Sequence, residues 1–423
     1  MMEKLGIYIH IPFCAGKCGY CDFYSLAGCD HMMPDYHQAL LQHIHESESA
    51  ILRYDVDSVY FGGGTPSYYG AERIADIFNM LKLNGNVMVD SEVTCEVNPD
   101  STDPEMLKLL RREGINRLSI GAQSANDDLL KLIGRRHNFR QVRKAVSDAR
   151  DAGFENISLD LMYGLPSQTK NDWAETLAKA IELKPEHISC YALKLEPGTK
   201  MYNEYFGSPI IPDDDTQADM YCYAAEMLGK YGFAQYEISN FAVKGYESRH
   251  NIKYWTLEDY LGFGPGAHSC MGNQRFSYIR NLKEYIDRMD TGEDLIDERE
   301  TVTPLERAVE YIMLAMRMTN GISEKEYRTK TQCDWRPIIG VLKIFEEKGW
   351  AVREEDRWHF TVPGFLISNT LIGIMLEAQT TGRVDSIPWM REAYKVESRI
   401  ALPSTEDEIF KEIYRQQVAK KKF

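Results

Sequence analysis

Six short apolar runs alternate with amphipathic stretches up to Leu193, and that alternation restricts the fold more than any other feature of the chain. The runs are Ile7–Ile11, Ser58–Phe61, Glu92–Val97, Arg117–Ile120, Asn156–Leu161 and His187–Leu193. Their length and their β-branched and aromatic content suit strands. Between the first two, Tyr36, Leu40 and Ile44 recur four residues apart, which places them on one helical face. Ala71–Leu83, Asp103–Glu113, Asn138–Gly153 and Asn171–Leu183 carry similar patterns. Strand–helix alternation predicts a parallel sheet with right-handed crossovers. Six units predict an α/β fold, a partial (β/α)6 barrel rather than a closed eight-fold one. Chemistry in parallel barrels gathers at the C-terminal ends of the strands.

After Leu193 the pattern changes. Residues 1–200 are expected to form the barrel and 201–300 a linker and looser segment, with Tyr205–Thr216 rich in Pro and Asp. Residues 301–378 read as a smaller α-rich domain. It has helices at Leu305–Met318 and Trp335–Lys348, a hairpin-like Ala351–Thr361 and a final helix, an order that suggests a winged helix. Residues 379–423 read as a polar tail ending in Lys420–Lys422. Acidic residues outnumber basic ones 64 to 49, and a net charge of −15 argues against tracking nucleic-acid phosphates. No run of apolar residues is long enough to span a bilayer. Met1–Ile11 lacks the charged-then-apolar profile of a secretory leader. Nine cysteines, three of them crowded together, suit a cytoplasmic metal site better than a disulfide framework.

Those three are Cys14, Cys18 and Cys21, directly after the first strand. Three thiolates on one short loop can face a single four-iron cubane and leave its fourth iron open, since thiolates are the usual protein ligands of iron–sulfur clusters. The competing reading is zinc, which wants a fourth ligand from His10, Asp22 or Cys29. Gly62-Gly63-Gly64-Thr65-Pro66 follows the second strand, and consecutive glycines let backbone N–H groups approach a ligand. Glu96 at the end of the third strand, Gln123 after the fourth and Asp160 at the end of the fifth interrupt apolar runs. Such groups are costly there unless paired or liganded. Arg135 is a candidate partner for a bound carboxylate. Taken singly, each also reads as an ordinary capped or salt-bridged strand end.

Together these residues resemble the radical S-adenosylmethionine (SAM) family. The nearest branch holds the oxygen-independent coproporphyrinogen III dehydrogenases and the HemW-type heme chaperones. The resemblance runs from about Tyr8 to Asn369, and the 301–378 module is similar to that branch's C-terminal domain. It implies that Cys14, Cys18 and Cys21 hold a [4Fe–4S] cluster and that Tyr8 and Tyr20 contact the cofactor or cluster. It further implies that Gly63, Gly64 and Thr65 hold the methionine end of SAM, with Glu96, Gln123, Arg135 and Asp160 completing the pocket.

Within the branch, the dehydrogenases resemble one another in a fourth cysteine two residues after the third, where this chain has Phe23. They also carry a long segment ahead of the first strand, where Met1–Gly6 stand here. His250-Asn251-Ile252-Lys253-Tyr254-Trp255 matches the His-Asn-x-x-Tyr-Trp signature of the chaperone group. The resemblance thus implies heme handling by 201–300, with His250 as the iron ligand and Tyr254 and Trp255 as flat faces for the macrocycle. His268, in Gly264-Pro265-Gly266-Ala267-His268, is a second candidate ligand, although the glycines suggest a tight turn whose histidine merely hydrogen-bonds. The implied partners are heme and an acceptor protein, in one version membrane-associated. The alternatives are oxidative decarboxylation of coproporphyrinogen III and a related radical SAM methylase.

Overall fold

The computed structural model describes residues 2–384 together with Ser386 and Met390. The rest of the expected polar tail lies outside the described residues. The chain divides into two compact units. One runs to Tyr254 and includes Glu258–Thr301; the other comprises Trp255–Leu257 and the chain from Val302.

The first unit is built on one twelve-stranded sheet. Its six leading strands are β1 (Glu3–Ile11), β2 (Tyr54–Gly63), β3 (Asn86–Val97), β4 (Arg117–Gln123), β5 (Ile157–Tyr163) and β6 (His187–Ala192). They lie side by side in chain order and pair in parallel. Helices α1 (Met33–Glu46), α2 (Ala71–Asn84), α3 (Pro104–Glu113), α4 (Asp127–Leu132), α5 (Phe139–Asp151) and α6 (Lys170–Glu182) fall in the crossovers. Strands buried on both faces read as continuous apolar runs. In β1, Leu5, Ile7, Ile9 and Ile11 are wholly buried, and every residue of β4 is buried. Helix starts are set by local chemistry: Asn138 with Gln141 closes a capping box on α5, and Thr169 with Asp172 does so on α6.

The sheet extends further than the six predicted units. After α7 (Asp214–Lys230) come β7 (Ala234–Gln235), β8 (Asn240–Ala242), α8 (Arg249–Thr256), β9 (Tyr260–Phe263), β10 (His268–Met271), β11 (Gln274–Tyr278), α9 (Leu282–Thr291) and β12 (Ile296–Thr301). Strand order is β12-β11-β10-β9-β1-β2-β3-β4-β5-β6-β8-β7. β9 pairs in parallel with β1, so a seventh parallel strand lies on the side of β1 opposite β2. From Ala234 on, the segment expected to be a linker and looser region therefore contributes strands to the main sheet. The sheet remains open, as a partial barrel requires.

In the second unit, α10 (Pro304–Ala315), β13 (Ile322–Ser323), α11 (Glu324–Thr331), α12 (Arg336–Glu347), β14 (Ala351–Glu354) and β15 (Arg357–Phe360) follow in the winged-helix order, then α13 (Ser368–Thr381). Its small sheet runs β13-β15-β14. Ile338, Val341, Leu342, Phe345, Leu371 and Met375 are fully buried and supply much of its core. Among the described residues no helix is long and apolar enough to cross a membrane.

Candidate functional site

The loop after β1 carries all three clustered cysteines, and the structure opens them onto one cavity of about 390 Å3. Phe13–Cys14 forms a short two-stranded pair with Leu26–Ala27, which fixes both ends of that loop. Cys14 is buried and its Sγ lies 3.3 Å from Thr65 Oγ1. Arg135 Nη1 donates to Cys18 Sγ at 3.6 Å, and Arg135 Nη2 donates to the Gly121 carbonyl at 2.7 Å. Gly121 makes this possible: a Cβ there would stand 2.2 Å from Nη2. No three His, Cys, Asp or Glu side chains converge as a single-ion site among the described residues. A cubane instead spreads three thiolates over three irons.

The remaining wall is drawn from the cysteine loop, the ends of β2 to β4, the turn after α4 and, instead of the expected strand end, the middle of β5. Gly63, Gly64, Thr65, Tyr20, Glu96, Gln123, Arg135 and Asp160 all border the same cavity as the cysteines. Gly63 has φ +111° and a Cβ there would meet the His10 ring at 2.6 Å, so only glycine suits that turn. The Gly63 N–H donates to Glu96 Oε2 at 3.3 Å, and the Tyr60 hydroxyl donates to Oε1 at 2.9 Å. Burial pushes the Glu96 carboxyl up to about 7, against the pull of those two donors. Asp160 is raised by burial as well, but hydroxyls of Ser119, Ser158 and Ser189 donate to it at 2.9–3.3 Å. Nε of Arg135 and Nε of Arg117 are buried without a hydrogen-bond partner, and both side chains border the cavity. Unspent buried donors beside a glycine turn and two carboxylates fit an organic zwitterion.

Sequence reasoning missed Tyr60, Arg117 and the three serines. Arg117 had a signal, because a cation inside an apolar run is anomalous. The serines had none.

Tyr8 is not with this group. It borders a second cavity of about 510 Å3, with Tyr254, His268 and Arg280. Phe23 borders both cavities. His250 borders neither and is wholly buried. Its Nδ1 lies 3.0 Å from Ser58 Oγ and its Nε2 lies 2.8 Å from the Tyr254 hydroxyl. Tyr60 stacks on the ring at 5.3 Å. Burial, with lesser help from Lys253 and Arg117, pushes the His250 imidazole down to about 3. In this arrangement both ring nitrogens are in use, so iron ligation by His250 requires breaking at least one of these contacts. Trp255 borders neither cavity and belongs to the second unit.

These features define a radical SAM protein: the profile of the Radical SAM superfamily matches residues 8–180, and that of the HemN C-terminal domain matches 302–367. The fold agrees with the solved structure of coproporphyrinogen III oxidase (HemN) from Escherichia coli, at a TM-score of 0.76 and 22% identity over 90% of this chain and 91% of that one. Among curated relatives, heme chaperone HemW of Bacillus subtilis is 38% identical over 87% of this chain and 98% of its own length. The proteins of that name from Haemophilus influenzae and Escherichia coli are 35% and 32% identical, each over 89% of this chain and 98% and 99% of their own lengths. The chain belongs to the HemW family.

Proposed function

We propose that this chain is a cytoplasmic heme chaperone that holds a [4Fe–4S] cluster and SAM in its first cavity, binds heme, and passes it to an acceptor protein. The observation that carries the reading is the convergence of three thiols, a glycine turn, Glu96, Gln123, Arg135 and Asp160 on that cavity. Full-length relatives bearing the name heme chaperone supply the cargo.

Cys14, Cys18 and Cys21 would each take one iron. When bound, the cluster supplies an open iron for SAM and a one-electron store. Arg135 offers positive charge to Cys18 and a spare Nε–H to a carboxylate. Gly63 and Gly64 would admit the methionine end close to backbone, while Thr65, 3.3 Å from Cys14 Sγ, would steady the Cys14 side. Glu96, pinned by Tyr60, would offer its carboxylate to the cationic part of SAM, and Asp160, held by its three serines, would complete the wall. Tyr254 would face heme, with His250 holding its hydroxyl.

The test is anaerobic reconstitution of wild type and of the Cys14→Ala/Cys18→Ala/Cys21→Ala variant with iron and sulfide. Wild type is expected to take up four irons and bind SAM, and to bind heme in a Soret titration; the variant loses cluster and SAM together. Cluster uptake without heme binding would remove the chaperone reading. Turnover of coproporphyrinogen III with SAM and a reductant would put the decarboxylating enzyme in its place.

A further inference from the structure

The second cavity of the first unit has the features of a site for an iron porphyrin, and His268 rather than His250 is its free imidazole. Eight of the ten histidines engage a ring nitrogen with a protein group: His10, His37, His43, His45, His137, His187, His250 and His359. Among the described residues His31 and His268 make no such contact, and of the two only His268 borders the cavity. His268 starts β10 with its side chain exposed, at the turn that follows Gly264 and Gly266. The turn is present as expected, but its histidine is not consumed by a hydrogen bond.

The walls suit a flat macrocycle. Tyr8, Tyr24, Tyr254, Tyr260 and Tyr278 all face the cavity. Tyr254 and Tyr260 meet edge-to-face at 4.7 Å, and Tyr24 stacks on His10 at 5.9 Å, so the rings hold one another in place. The volume of about 510 Å3 lies in the range of small-molecule sites, roughly 300–1,000 Å3. Arg280 is the one cation on the wall, and it has no ion-pair partner among the described residues; its guanidinium lies 5.5 Å from the Tyr24 ring centre. Asp22, Asp297 and Glu298 border the same space. A propionate would be accepted at Arg280 and opposed elsewhere, which favours placing the propionate edge of the macrocycle at that end.

We infer that heme binds in this cavity with His268 as axial ligand to iron and Arg280 on a propionate, while His250 is a positioning residue that acts by holding the Tyr254 ring against the macrocycle. The inference rests on the heme-chaperone reading. Loss of a group that merely supports a metal ligand costs about 10–100-fold in affinity, so loss of the ligand itself should cost at least tenfold.

The experiment is a Soret titration of cluster-reconstituted full-length protein, with electron paramagnetic resonance of the ferric form, on wild type, His268→Ala, Arg280→Glu and His250→Ala. His268→Ala is expected to lose the histidine-ligated spectrum and at least tenfold in affinity, and added imidazole should restore the spectrum. Arg280→Glu should weaken binding with the ligation spectrum unchanged. His250→Ala should weaken binding yet keep the wild-type ligation spectrum, and the cluster absorbance should match wild type in all three. An unchanged spectrum in His268→Ala, or loss of histidine ligation in His250→Ala alone, overturns this site and leaves the chaperone reading standing. Absence of heme binding by wild type overturns both.

Discussion

Replacing His250 by alanine tests whether the signature histidine is a neutral, buried structural group, and pH separates that role from others. At neutral pH the substitution deletes a wholly buried ring, abandons Ser58, which is also wholly buried, and takes the Tyr254 hydroxyl's partner away. An unsatisfied buried group costs about 1–3 kcal/mol and the lost packing adds to it, so a loss of about 2–4 kcal/mol is expected near pH 7. The imidazole is pushed down to about 3 in the fold from an ordinary 6.5. A depressed histidine contributes stability that is present above 6.5 and drains away as pH falls toward 3. At about 1.4 kcal/mol per pKa unit, moving from about pH 7 to about pH 5 removes about 2 kcal/mol of the wild-type advantage. The variant has no such group, so the gap between the two proteins should narrow by about that amount. Buried His10, His43 and His187 titrate in both proteins and cancel from the difference. Hydrogen–deuterium exchange of peptides spanning β2 and α8, at both pH values, reads the local free energy. A gap that is independent of pH, or no loss near pH 7, would refute the buried neutral assignment.

Gly121→Ala places a methyl 2.2 Å from Arg135 Nη2 and must expel the guanidinium from its bonds to the Gly121 carbonyl and Cys18. Overpacking of this kind costs about 1–3 kcal/mol, and iron content after reconstitution should fall with it. Lys253 Nζ stands 2.9 Å from Asp57 Oδ1 with both side chains buried, so Lys253→Met should cost about 3 kcal/mol in urea unfolding. That is the low end for a broken buried pair, because Lys4 approaches Asp57 at 3.7 Å. Adding Asp57→Asn should recover most of the loss. Glu96, raised to about 7, is mostly neutral near pH 6 and mostly ionised near pH 8. If only the carboxylate binds the sulfonium cofactor, SAM affinity by equilibrium dialysis should rise about tenfold across that interval, and Glu96→Gln should abolish the rise.

What the amino-acid order reveals about this fold follows from where each strand sits. β1 to β6 were legible because central parallel strands bury both faces and become continuous apolar runs. β9 was not: four residues containing a glycine carry no period, and only pairing with β1 makes them a strand. β12 reads Ile-Asp-Glu-Arg-Glu-Thr and lies at the edge of the sheet, where water satisfies one side and polarity hides the strand. The cysteine loop was legible since its ligands are local, whereas the serines around Asp160 come from β4, β5 and β6 and have no spacing to find.

The signature histidine shows a subtler limit. Its bond to Tyr254 was available to sequence reasoning, because residues four apart face each other once 249–256 is read as a helix. Its bond to Ser58, 192 residues away, was not. Recognition of a motif identifies which residues matter, but the division of labour among them depends on partners that only the folded chain brings together. In this chain that division leaves Tyr254 at the cavity wall, His250 behind it and His268 free beside them.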